Sequence, residues 1–269
     1  MNSRRTKGSR PPLVTGMKTM RPQHTPTNVT AEEAWVIDRV PQATVLSTPP
    51  QPTTVVAKLL PVLRMFPGLA DPSTMVTRLF LCLVGFLPVT LIAASTFGVF
   101  GLRDLASHLM VPAVVVTVFV AGRHRNAGSL VLRAMLVGAI ATGMYDLVRF
   151  SFIWTGLMHV DPIPHIGVAL HLHPSWVVGY LWRYCLNGAG LSVAFFSLGL
   201  KRVRQGLAFG FFVAMGLITV IIISPHASQE LWALSVTSVS MIILGHLTFG
   251  AGLACVSGLL SRRSVTVNN

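Results

Sequence analysis

The sequence predicts an all-α fold: a polytopic helical membrane protein with about six transmembrane helices behind a disordered N-terminal tail. Composition is the first reason. Of 269 residues 52% are hydrophobic and only 11% charged, against about 25% charged in soluble domains, and mean hydropathy is +0.66. The second reason is six apolar runs near the length needed to cross a bilayer. A hydrocarbon core about 30 Å thick takes roughly 20 residues rising about 1.5 Å each, and lipid cannot satisfy bare backbone groups. The third is charge placement: 21 Lys and Arg oppose 8 acidic residues, and the cations gather in the tail and in short connectors. The lipid bilayer is therefore the first expected partner.

Residues 1–75 hold Pro11, Pro12, Pro22, Pro26, Pro41, Pro49, Pro50 and Pro52 and no long apolar run, which predicts a mostly disordered, basic tail. Within it Thr30-Ala31-Glu32-Glu33 resembles a capping box ahead of a short apolar stretch. The Arg-rich start would suit an organelle transit peptide, but the prolines spoil its amphipathic helix, and no secretory apolar region stands near Met1. A net charge of +13 raises nucleic acid as a partner. The basic residues form no dense run interleaved with aromatics, which argues against it. Anionic lipid headgroups or partner proteins suit the tail better.

The transmembrane domain is expected over 76–263, with spans near 78–100, 105–121, 130–152, 175–199, 206–224 and 231–259, and a short tail at 264–269. The second and fifth are short, and Pro88 and Pro112 inside the first and second predict kinks. Arg123-His124-Arg125 follows the second span, Lys201-Arg202-Val203-Arg204 the fourth and Arg262-Arg263 the sixth. Cytoplasmic connectors carry such excess. The alternate connectors hold Arg103 with Asp104, then Asp161, then Glu230, while Lys58, Arg64 and Arg78 add to the inner side. Both termini are therefore expected in the cytoplasm, in a plasma membrane of the bacterial inner-membrane kind. A sequon at Asn28-Val29-Thr30 would then never meet a glycosylating enzyme.

Charges within spans are costly, about 2.5–3.5 kcal/mol each on insertion scales, so each needs a partner or a purpose. Asp146 and Arg149 stand one turn apart on the third span; Arg183 and Asn187 share a face of the fourth, with Tyr180 and Tyr184 close by. If these groups meet, one carboxylate faces two guanidinium groups and the surplus is positive. Two readings follow. The cluster is a helix-registering ion pair with a snorkelling spare Arg, or it is an outward-facing pocket for an anionic group gripped by forked Arg donors. His246 lies inside the sixth span among small residues, Gly245 to Gly252, and either hydrogen-bonds a neighbour or serves a ligand. Gly188 and Gly190 form a comparable smooth patch, so the fourth and sixth spans are expected to pack together.

Six of the nine histidines, His108, His159, His165, His171, His173 and His226, fall on the outer side. The first five make a candidate metal set, but no Cys or carboxylate stands at familiar ligand spacing. Haem or a transition metal is thus a weak cofactor expectation. Cys82, Cys185 and Cys255 are scattered through apolar runs and read as free thiols. The segment 161–175 mixes proline, histidine and apolar residues, as an interface-lying lid or an ordinary loop would. Glycine-rich nucleotide loops, H-E-x-x-H, G-x-S-x-G and paired carboxylates for hydrolysis are absent, so an enzymatic role is the less favoured one. The leading reading is a membrane protein that binds a small anionic or metal-containing ligand through Asp146, Arg149, Arg183, Asn187 and His246 for transport or sensing. Its rivals are a structural or assembly subunit, and an enzyme acting on lipid or haem.

Overall fold

Helix α1 (Pro72–Ser95) opens on a proline in the first turn, where a missing N–H costs nothing. It ends where Gly98 adopts φ 75, in the left-handed region, and donates to the Ser95 carbonyl at 2.9 Å. A computed structural model of the chain describes residues 66–69, 72–231 and 233–266, the side chains of 72, 229–230 and 260–266 excepted. The tail over 1–65, with its Thr30 capping box, the sequon and Lys58 and Arg64, lies outside the described residues, as do 267–269 and the side chains of Arg262 and Arg263. All described residues belong to the unit Gln51–Asn269.

Helix α2 (Leu102–Arg123) contains a π-helical turn at Ala106–Met110, directly before Pro112. Pro112 has no N–H for the carbonyl four residues back, and a widened turn absorbs that mismatch. Only 6% of the apolar window of α2 is buried, so it lies at the bundle edge. Helix α3 (Arg125–Trp154) is the central spine: Ala134, Val137, Gly138, Ala141, Thr142, Tyr145, Asp146 and Arg149 are buried at helical spacing. Helix α4 (Ile163–Ala169) follows. Helix α5 runs continuously over 175–197 as Ser175–Leu181, a π-helical middle at Trp182–Gly188, and Ala189–Ser197. Helix α6 (Val203–Ile223), the single turn α7 (Ala227–Glu230) and helix α8 (Val236–Thr266) complete the order.

All regular structure among the described residues is helical, and five helices are long and apolar enough to cross a membrane: α1, α2, α3, α6 and α8. The sixth forecast span, 175–199, is present as the helical run α5 but is not among the five, because Arg183, Asn187, Tyr180 and Tyr184 dilute its apolarity. Helix α8 starts at Val236, later than forecast. Ser235 and Ser238 explain it: each side chain accepts the other's backbone N–H, at 3.0 and 2.8 Å, a reciprocal cap that fixes the first turn.

Glycines set the helix pairs. A Cβ at Gly210 would lie 2.0 Å from the His246 carbonyl oxygen, and one at Gly250 would lie 2.0 Å from that of Gly206. Helices α6 and α8 therefore touch backbone to backbone. The expected pairing of the fourth and sixth spans does not occur. Gly188 sits against Thr142 of α3, and Gly190 against Gly85 and Pro88 of α1. A small patch specifies a close approach without specifying the partner, and α3 takes the place between α5 and α8.

The ends of the bundle sort consistently. At one end Gly68 donates to the Leu198 carbonyl at 3.2 Å; at the other the Ser224 hydroxyl donates to the Thr96 carbonyl at 2.6 Å. Over that second end lies α4. A Cβ at Gly167 would meet Ser175 O at 2.0 Å and one at Gly179 would meet Ile163 O at 2.1 Å, so α4 and the start of α5 form a tight hairpin. Ile163, Ile166 and Leu170 are buried with Leu91, Leu102 and Trp182. Within the segment 161–175, residues 162–170 thus form a cap packed through Ile163, Ile166 and Leu170, while 171–174 are exposed.

Candidate functional site

The buried stripe of α3 carries Asp146 and Arg149 inward, and the π-helical turn of α5 carries Arg183 towards them. Arg183 Nε donates to Asp146 Oδ1 at 2.8 Å and its Nη2 lies 2.6 Å from the same oxygen. Arg149 Nε approaches that oxygen too, at 3.3 Å. Arg149 then turns to Asp161, just before α4: its Nη1 pairs with Asp161 Oδ1, its Nη2 donates to the Tyr180 hydroxyl at 2.8 Å, and Tyr180 donates to Asp161 Oδ2 at 2.7 Å. Asp161 Oδ1 also accepts the Ile163 N–H at 3.0 Å, which ties the cap to the chain of charges.

This corrects the charge balance read from sequence. Asp161, taken there as a loop acid, folds back onto Arg149, so two carboxylates face two guanidinium groups and the local sum is zero. Alternation of sign is what makes burial of Asp146 and Arg149 beside the part-buried Arg183 and Asp161 tolerable, since an unpaired buried charge would cost several kcal/mol. Aromatic rings line the chain: the Arg183 guanidinium lies 4.4 Å from the Tyr145 ring centroid, and Tyr145 meets His246 edge-on at 4.9 Å.

Beside this polar wall is a cavity of about 300 Å³ bordered by α1, α3, α5, α6, α8 and the cap, at the lower end of the usual ligand-pocket range of about 300–1,000 Å³. Most of the lining is apolar, including Phe86, Val89, Ile166, Leu217 and Phe249; Arg183, Asn187, Tyr145, Thr142 and His246 supply polar atoms on one side and Thr90 of α1 adds a hydroxyl. Asn187 Oδ1 is buried without a hydrogen-bond partner. His246 Nδ1 donates to the Ile242 carbonyl at 2.8 Å, so the neutral ring keeps Nε2 as an acceptor.

No known protein family, curated protein or solved structure matches the chain.

Of the residues singled out from sequence, Asp146, Arg149 and Arg183 meet directly, while Arg183, Asn187 and His246 share the cavity wall. Asp146 and Arg149 stand behind that wall as its support. The histidine set does not assemble. His108 is exposed and bonded to the Asp104 carbonyl at 2.8 Å, and His159, His165, His171 and His173 are all exposed. Among the described residues no three His, Cys, Asp or Glu side chains gather as a metal ion would require. Sequence reasoning missed Tyr145 as a cavity residue and Asp161 as the partner of Arg149. The position of Asp161, two residues before a proline-containing helix start, signals its local bond to the Ile163 N–H but not its pairing with Arg149.

Proposed function

We propose that the chain is a multi-pass membrane protein that binds a small molecule in this cavity, in the service of transport or sensing. The observation that carries the reading is one cavity with an apolar body and a polar wall, Arg183, Asn187, Tyr145 and His246. Binding sites are built in that manner, with a few placed polar groups fixing orientation. Connector charges favour cytoplasmic termini in a plasma membrane, with the cavity in the outer half. The basic tail then faces anionic headgroups of the inner leaflet. Of the ligand chemistries open from sequence, a metal-containing one lacks a donor cluster among the described residues. An anion would add negative charge beside an Arg183 already paired with Asp146.

A second reading has one observation of its own. All four charges of the cluster are paired, as a scaffold that only registers helices would need. Mass spectrometry of small molecules extracted from the purified protein separates the two. The binding reading predicts one defined compound at about one per chain, lost in the cavity-filling variant Ala93→Phe while thermal unfolding stays close to wild type. A wild-type protein carrying no such compound, with Arg183→Leu merely unfolding, supports the scaffold.

A further inference from the structure

Where the cavity meets the surface and which polar atoms it leaves unsatisfied bear on what it takes up. Helices α1 and α6 run in the same direction and touch at two levels. Phe86 and Phe209 meet with centroids 5.9 Å apart, and Ser224 donates to Thr96 O at 2.6 Å. Between these contacts the cavity lining includes Thr90 of α1 and Phe212 and Gly216 of α6, all three exposed. A Cβ placed on Gly216 would meet nothing within 4 Å. Both helices are long and apolar enough to cross a membrane, so this gap faces sideways into hydrocarbon.

The polar wall restricts the ligand further. His246 Nε2, on the cavity wall, is an acceptor that needs a hydrogen from its partner, because Nδ1 is spent on the Ile242 carbonyl. A carboxylate or a ketone has none to give. Arg183 of the same wall spends Nε and Nη2 on Asp146 and brings further N–H donors, five in all on a guanidinium group. A hydroxyl group has one hydrogen to donate and lone pairs to accept, and so matches both. An anion would instead bring an unbalanced charge to a site whose four charges already cancel.

We infer that the cavity binds an uncharged lipophilic alcohol or phenol that arrives from the hydrocarbon through the gap between α1 and α6. This rests on the cavity-binding reading above and names its ligand class and route.

Photolabelling of the full-length protein in lipid nanodiscs tests it, with a diazirine-bearing octanol and the corresponding diazirine-bearing octanoate as probes and peptide mapping as the readout. Octanol is expected to label cavity residues saturably, in competition with unlabelled octanol, and octanoate roughly tenfold more weakly. Gly216→Trp, which fills the gap from α6, is expected to cut octanol labelling roughly tenfold, the change read as apparent affinity. Thr90→Trp narrows the same gap from α1 and stands in if Gly216→Trp unfolds. Octanoate labelling the cavity as well as octanol or better overturns the ligand class while leaving the cavity reading intact. Octanol labelling undiminished in folded Gly216→Trp and Thr90→Trp overturns the route. Absence of saturable labelling by either probe overturns the binding reading with it.

Discussion

Asp146 Oδ1 receives both Arg183 contacts and the longer approach of Arg149, so it is the residue on which the paired charges turn. Arg183→Leu leaves that carboxylate with only the longer Arg149 contact, and breaking a buried pair costs about 3–5 kcal/mol. We expect a loss of about 3 kcal/mol, read from denaturation in detergent. Asp146→Leu combined with Arg183→Leu removes both charges, leaves the Arg149 pair with Asp161, and should recover most of that loss. A double variant as unstable as the single one would contradict the pairing. The sequence displayed Asp146, Arg149, Arg183 and Asn187 as intramembrane polar residues, because such residues are rare and costly. It did not display Asp161 as their fourth charge, since a loop residue's return to the bundle is a tertiary event with no spacing to announce it.

At the scale of elements, α6 and α8 meet through Gly206, Gly210 and Gly250, where a Cβ would fall 2.0–2.2 Å from a backbone oxygen. Gly210→Leu must push the helices apart; we expect a loss of about 1–3 kcal/mol, the usual cost of overpacking. Gly258→Ala, where a Cβ meets nothing within 4 Å, should be neutral to slightly stabilising, since alanine is the better helix former. A thermal shift series on the two variants checks the contrast. The cap is tested in the same way: Gly167→Val places atoms into Ser175 O and should lift α4. Hydrogen exchange over 161–174 is then expected to rise with the remaining helices unchanged. Long apolar runs made α1, α2, α3, α6 and α8 readable from sequence with only their ends displaced. The smooth patch at Gly188 and Gly190 was readable too, but its partners were not, because a small residue allows any helix to approach.

For the whole molecule the decisive property is the medium. Apolar side chains such as Val116, Val118, Phe119 and Phe212 stand exposed on the outer faces of α2 and α6, and on helices long and apolar enough to cross a membrane such a surface suits hydrocarbon. Composition and run length made that legible at once. The cavity was not legible, for it is lined from six helical elements distant in sequence, and only the fold brings them together. Its lateral gap gives the most direct test of the account. A spin label on Gly216→Cys should show high collision rates with oxygen, which concentrates in hydrocarbon, and low rates with a water-soluble nickel chelate. Fast collisions with the chelate and slow ones with oxygen would place Gly216 in water and contradict the account.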